Sequence, residues 1–326
     1  AAQRTPVNMK YNPLSLFAAS PFSLRAARCG KGDDALAAGR CGRPTPLLGI
    51  PRLGRASCVR WCVVLIATAL MTAAPAHAGR ACDARKPVSP QVVERGMALA
   101  AQTSQALDAE HARSGAKVVL IGRAGQDLGK YGLRYSHLGW AYKTPEGPWR
   151  VTHKLNDCGT ALGHVYRQGL GEFFLDDLWR FEAVVAVPSA AVQAQLWSVL
   201  ADNARAKALH TPHYSMVSYV WGQKYQQSNQ WAIETLAAAM EPATIRTREQ
   251  AQAWLRFKGY EPTTLRLGPL TRLGGRVGSA NIAFDDHPSD KRYSDRIETV
   301  TVDSVLAWMQ RTQLAGAPFT VLYQKQ

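Results

Sequence analysis

The amino-acid sequence predicts an α+β fold in which helices pack on a small antiparallel sheet. Short runs such as "LRYSHLGWAYK" and "GPWRVTHKLN" have the composition and alternation of strands. Longer runs such as "SAAVQAQLWSVLADNARAKA" and "SNQWAIETLAAAM" carry apolar residues at helical spacing. The turn sequence "PEGP" joins the first two strands and favours an antiparallel hairpin between them.

The charge of the chain is concentrated in its first quarter. The 326 residues have a formal net charge of +15. Residues 1–78 contain ten Lys and Arg but only two Asp and Glu, a net charge of +8, which leaves +7 for the remaining 248 residues. No aromatic–basic motif accompanies this charge, so we do not expect a nucleic-acid partner.

Residues 57–78 have the three-part pattern of a secretory signal. Arg60 precedes an apolar run over residues 61–71, and the small-residue sequence Ala76-His77-Ala78 follows. We expect cleavage after Ala78, a periplasmic or secreted protein, and no stable membrane span after cleavage; an uncleaved anchor is the alternative. Residues 1–56 lack periodicity, and we expect them to be disordered and to reflect an over-extended gene model.

Two of the six cysteines follow the expected cleavage site. They are Cys82 and Cys158. A single pair in an exported chain predicts one disulfide. The alternative is that Cys158 is a catalytic thiol, since His153 precedes it closely in the sequence.

His137 is the first candidate for chemistry. It lies in an otherwise apolar strand, where it shares one face with Gly139 and Ala141, while Leu138 and Trp140 point to the other face. A lone histidine in such a strand is most often a packing residue. The order of the elements after it makes a functional role for His137 worth testing. A second strand, a helical patch, a third strand and a helix follow, and then a loop leads into the helix that begins near Ser228.

This order resembles the circularly permuted branch of the NlpC-type papain-like hydrolases. In that group a histidine lies on a strand and a cysteine opens a later helix, and "YSHLGWAY" and "QQSNQWAIE" resemble the two motifs. Residues 80–326 also resemble the uncharacterised exported bacterial family called domain of unknown function 2145, through "DLGKYGLRYSHLGWAYK", "HKLNDCGT", "VYRQGLGEFFLDD" and "SNQWAIETLAAA". The resemblance implies a permuted papain-like core over residues 79–242. Residues 243–326 would be a C-terminal extension packed on the same domain.

The resemblance to the hydrolases also implies a set of site residues. His137 would be the base, His153 on the next strand would orient it, with Asn156 as another possible orienter, and Ser228 stands where that group has its cysteine. A serine hydroxyl is harder to ionise than a thiol, so a helix dipole activates it less. Ser228 would therefore need His137 as a full general base. The alternative is that Ser228 caps the helix, with Asn229 sharing that work.

Ligand contacts are predicted for three further side chains, Trp140, Tyr214 and Asn229. We expect an exported protein with a papain-like cleft, non-catalytic or degenerate, that binds a peptide or lipid of the cell envelope. The alternative is an active amide or ester hydrolase or transferase that uses His137 with Ser228 or Cys158. No cofactor is expected. No metal site is expected either, because the acidic run "FDDHPSD" has no zinc or calcium spacing.

Overall fold

A computed structural model describes residues 88–176 and 178–325. The predicted disordered segment, the predicted signal peptide and Cys82 lie outside these residues. The pairing of Cys82 with Cys158 therefore stays a prediction.

The described residues form eight strands and nine α-helices. The strands are β1 Val118–Ala124, β2 His137–Lys143, β3 Trp149–Asn156, β4 Gly163–Gly169, β5 Arg180–Ala186, β6 Thr263–Arg266, β7 Arg296–Thr299 and β8 Phe319–Leu322. The helices are α1 Pro90–Ser114, α2 Leu170–Phe174, α3 Ala190–Leu200, α4 Asn203–Ala206, α5 Ser228–Met240, α6 Arg248–Phe257, α7 Pro269–Gly278, α8 Ser289–Arg292 and α9 Val302–Arg311.

Six of the strands form one open antiparallel sheet in the order β4-β3-β2-β1-β5-β8. This confirms the predicted α+β class with a small antiparallel sheet. Strands β6 and β7 pair separately as a two-stranded ribbon. Strand β8, which comes from the C-terminal part of the chain, pairs with β5 at one edge of the main sheet.

Helices cover both faces of the main sheet. Alternate residues of each strand therefore enter different hydrophobic clusters. Leu120 of β1 and Trp140 of β2 pack with α3, α5, α6 and α9, and we call this side the α5 layer. Ile121 and Ala141, the next residues along the same strands, pack with α1 and α2, and we call this side the α1 layer.

The residues at the two ends of helix α1 explain where it begins and ends. Ser89 is the N-cap and its hydroxyl accepts a hydrogen bond from the Val92 amide, while Pro90 occupies the first turn. Gly115 ends the helix in the left-handed conformation, with φ of 74°. Within the described residues, no helix is both long enough and apolar enough to cross a bilayer.

Candidate functional site

His137 and His153 meet in the α1 layer. Strands β2 and β3 are adjacent and antiparallel, and a hydrogen bond of 2.8 Å joins His137 Nε2 to His153 Nδ1. A second bond of 2.8 Å joins His153 Nε2 to Gln168 Oε1 on β4. Gly139 makes this approach possible, because a Cβ there would lie 2.8 Å from the Cβ of His153.

These two hydrogen bonds determine which ring nitrogens of His137 and His153 carry a proton. An amide oxygen only accepts, so His153 Nε2 donates to Gln168 Oε1 and the neutral His153 ring accepts at Nδ1. His137 Nε2 is then the donor to His153, which leaves the lone pair of His137 on Nδ1. Gln168, which sequence reasoning missed, therefore fixes the tautomer of both rings.

A buried arginine and a phenylalanine surround the two imidazoles. The Phe173 ring of α2 lies 5.2 Å from the His153 ring and 5.9 Å from the His137 ring, between centroids. Arg123 is opposite His137 in the β1–β2 register, and its guanidinium lies 4.9 Å from the centre of the Phe173 ring. It also donates to the Phe173 carbonyl and forms a 2.7 Å ion pair with Asp176.

This environment keeps both histidines neutral. Burial lowers the pKa of His153 to about 3, and the positive charge of Arg123 adds to the effect. Burial and Arg123 also hold the pKa of His137 well below its usual range. A neutral His137 keeps an unprotonated nitrogen at pH 7, and the energetic cost of charging it is high.

Ser228 begins helix α5 in the other layer. Its hydroxyl lies 3.2 Å from the Tyr214 hydroxyl. The N-cap of the helix is Gln227, so Ser228 is the first helical residue rather than the cap. Burial raises the pKa of Tyr214, which therefore stays a neutral phenol and does not act as a base toward Ser228.

The sheet separates the His137 ring from the Ser228 side chain. His137 points into the α1 layer with Arg123 and Phe173, whereas the neighbouring Leu138 packs in the α5 layer. Among the described residues, no hydrogen bond joins His137 to Ser228. The structure thus brings together His137 and His153, and it does not assemble the pair of His137 with Ser228 that the sequence suggested.

Asn229 connects the start of α5 to the sheet. Its Oδ1 accepts from the Leu138 amide at 3.1 Å, and its Nδ2 donates to the Val300 carbonyl at 3.3 Å. Both side-chain groups are therefore used within the protein. Gln227 adds a second anchor, because its amide donates to Thr299 Oγ1 at 2.7 Å and to the Val300 carbonyl at 2.9 Å.

A cavity of about 350 Å³ lies beside the start of α5. Its polar end is formed by Gln227, Ser228, Asn229 and Tyr214, and His137 and Ser136 contribute where β2 begins. Its apolar wall comes from two parts of the chain, the earlier part with residues such as Leu128, Leu133 and Met216, and the C-terminal part with Leu265, Leu267, Ile282 and Phe284. No sequence pattern indicates this C-terminal part of the wall, because its residues are spread over a stretch without periodicity.

Trp140 does not line this cavity, in contrast to its predicted binding role. Its side chain is fully buried in the α5 layer, and its indole donates to the Ala232 carbonyl at 3.0 Å. Strand parity explains the position, since Trp140 points toward α5 in the middle of β2. Cys158 lies in the turn between β3 and β4 and is not part of the cavity lining.

A buried ionic network lies on the same side of the sheet, and sequence reasoning missed it. Glu234 of α5 pairs with Arg248 of α6 at 2.8 Å, and the side chain of Glu234 has no exposed surface. Lys154 of β3 donates to Gln226 Oε1 at 3.1 Å, and Gln226 in turn donates to Glu234 at 2.6 Å. Burial and, to a lesser extent, the nearby charge of Arg248 together lower the pKa of Lys154 to about 7.

The match to a family model covers residues 110–309, and the family is described as an uncharacterized protein conserved in bacteria, domain of unknown function 2145. The chain belongs to this family. No curated protein matches the chain, and no solved structure does. The family match spans β1 to β5, the start of α5 and most of the cavity wall.

Proposed function

We propose that this protein is an exported binding protein that holds a small ligand with an apolar body and one polar end. The observation that carries the proposal is the cavity of about 350 Å³, with its apolar wall and its hydrogen-bonded polar end. Pockets of this kind and size are typical of small-molecule sites. A lipid or peptide fragment of the cell envelope has the required chemistry.

The polar end of the cavity is suited to hold a ligand in one orientation. The side chains of Gln227 and Asn229 are bonded to Val300 and Leu138, so they hold the start of α5 in place before a ligand enters. The first turn of α5 adds backbone N–H groups and the positive end of a 13-residue helix. Both features favour a ligand whose polar end accepts hydrogen bonds.

Binding without catalysis is favoured by the partner of Ser228. A serine nucleophile needs a general base within hydrogen-bond reach. The hydrogen-bond partner of Ser228 in the described chain is Tyr214, whose raised pKa makes it a poor base. We propose accordingly that the likeness to permuted papain-like hydrolases reflects a degenerate hydrolase fold, secreted or periplasmic and stabilised by a disulfide between Cys82 and Cys158.

One observation favours an active hydrolase as the second candidate. The bonds from His137 to His153 and from His153 to Gln168 leave a lone pair on His137 Nδ1, which is the arrangement of an oriented base. Such an enzyme would need a nucleophile near that nitrogen. Residue His137 borders the cavity where β2 begins, whereas its ring points into the α1 layer beside Phe173, so the nucleophile would have to lie in that layer.

Two adjacent glycines of helix α7 provide a matched test of ligand binding. Gly275 lines the cavity, and a Cβ there would contact Ile282 at 3.4 Å. A Cβ on Gly274 would meet open space. Gly275→Leu should fill part of the cavity, whereas Gly274→Leu makes the same change in helix propensity and leaves the cavity open.

The probe is anilinonaphthalene sulfonate, which has an apolar body and an anionic end. We expect the folded wild type and Gly274→Leu to enhance its fluorescence with equal affinity, and Gly275→Leu to bind it about tenfold more weakly. Circular dichroism of the three proteins checks that each is folded. Equal binding by both variants would show that the probe lies elsewhere and would refute the cavity as the site.

A further inference from the structure

Helix α7 carries an apolar stripe that faces solvent. Leu270, Leu273 and Val277 are 84%, 59% and 56% exposed, and their spacing places them on one side of the helix. No residue of this helix is buried. We call these three side chains the α7 stripe.

The opposite side of the helix holds it on the protein. Arg272 donates to the Ser294 carbonyl, and its guanidinium lies 4.7 Å from the centre of the Phe284 ring. Thr271 and Gly275 line the cavity. The helix therefore has an inner side that forms part of the cavity wall and an outer side, the α7 stripe, whose three side chains are each more than half exposed.

The charges around the stripe indicate what covers it. Between residues 262 and 280 the only charged side chains are Arg266, Arg272 and Arg276. Arg266 and Arg276 are exposed, and Arg292 lies near enough to Arg272 for the two charges to repel. Apolar residues on one side of a helix with arginines beside them are typical of helices that lie in the interface of an anionic bilayer.

We propose that the α7 stripe docks this protein on the surface of an anionic lipid bilayer, with helix α7 lying in the interface. A bilayer accepts three separate apolar side chains without a shaped groove, whereas a protein partner would have to supply one. The net charge of +7 after residue 78 adds long-range attraction to the same surface. Docking also brings the cavity wall at Thr271 and Gly275 to the membrane surface, which suits a ligand drawn from lipid.

The test is hydrogen–deuterium exchange of the full chain with vesicles of equimolar phosphatidylglycerol and phosphatidylcholine. A local readout is needed because the apolar run at residues 61–71 could bind lipid by itself. We expect the amides of α7 to exchange about tenfold more slowly on these vesicles than in buffer. The protection should be lost on phosphatidylcholine alone and in about 1 M salt, where the screening length falls to roughly 3 Å.

Two variants separate docking by the stripe from general adhesion. Leu270→Glu with Leu273→Glu should abolish the protection of α7. Phe257→Glu should keep it, since Phe257 is 83% exposed but lies on α6. Protection that is absent, that is equal on neutral vesicles, or that survives the double change would overturn the proposal.

The same double variant keeps this proposal separate from ligand binding. Leu270 and Leu273 are not part of the cavity lining, so the variant should still bind anilinonaphthalene sulfonate with wild-type affinity. Loss of vesicle docking with retained probe binding supports the docking surface. Loss of both would show that the variant disturbs the cavity itself and would overturn the claim that the stripe acts independently.

Discussion

The two faces of the main sheet differ in the charge state of the polar residues that they bury. In the α1 layer, burial keeps His137 and His153 neutral, and they share one hydrogen bond. In the α5 layer, Glu234 and Arg248 are buried as an ion pair, with Lys154 linked to them through Gln226. The α1 layer thus keeps its histidines neutral beside a buried arginine whose partner, Asp176, is half exposed, whereas the α5 layer pairs two buried charges.

The two groups of buried polar residues lie on opposite faces of the main sheet, and the start of α5 lies on the face with the ion pair. The ion pair joins α5 to α6, and the amides of Gln227 and Asn229 hold the start of α5 against β2 and the C-terminal part of the chain. The cavity opens at that start. The α5 layer therefore supports the proposed binding site, while the histidines are separated from Ser228 by the sheet.

The largest effect should follow from neutralising Glu234. Glu234→Gln keeps the size of the side chain and leaves Arg248 buried without its counter-charge, which should lower the free energy of unfolding by about 3–5 kcal/mol. Urea denaturation measures it. Glu261→Gln is the control, because its ion pair with Arg311 is exposed and should contribute about 0.5 kcal/mol or less. Equal effects of the two changes would contradict the buried network.

Both layers should lose stability as the pH falls, each over its own range of pH. The pKa of folded His153 is about 3 and lies below the unfolded value, so below about pH 6.5 the unfolded chain binds more protons and stability falls as pH falls. Between pH 6.5 and 5, His153 should contribute a slope of up to about 1.4 kcal/mol per pH unit to the free energy of unfolding, and His153→Asn should remove this contribution. Denaturation midpoints of wild type and variant at both pH values measure the slope. An unchanged slope would mean that His153 is charged in the folded protein.

Lys154 should determine how the stability of the protein changes with pH above about pH 7. Its folded pKa of about 7 is below the usual value of 10.5, so the unfolded chain again binds more protons between these two pH values. Wild-type stability should therefore rise with pH above about 7 through this group, and Lys154→Met should flatten that rise. The same midpoints, measured between about pH 7 and pH 9, test it. A rise that persists in Lys154→Met would show that another group causes it.

The smallest effects concern two neighbouring residues of α5. Asn229→Ala leaves the Leu138 amide and the Val300 carbonyl without this partner, and should cost about 1–3 kcal/mol. Ser228→Ala removes one bond to Tyr214 and should cost about 1 kcal/mol or less. Thermal unfolding of the two variants compares them directly. The reverse order would indicate that Ser228, rather than Asn229, anchors the helix.

The sequence predicted most strands and helices because their patterns are local, but the helical patch expected after the second strand was wrong in part, since strand β4, Gly163–Gly169, precedes the short helix α2 there. The period of β2 even predicted that His137 and Trp140 point to opposite faces. It could not predict which face α5 would cover, because that depends on contacts between residues far apart in the chain. Trp140 is predicted to contact a ligand but packs under α5, because the sequence does not show which face that helix covers. The wall formed by Leu265 and Phe284 likewise depends on contacts between distant parts of the chain.

We infer that Ser228 belongs to a binding cavity and does not form a catalytic pair with His137. Labelling with a fluorophosphonate, followed by mass spectrometry of the peptide that contains Ser228, tests it most directly. We predict no adduct on Ser228 in the wild type, because its hydroxyl has the neutral Tyr214 as its partner. An adduct on Ser228 that disappears in His137→Ala would contradict the account.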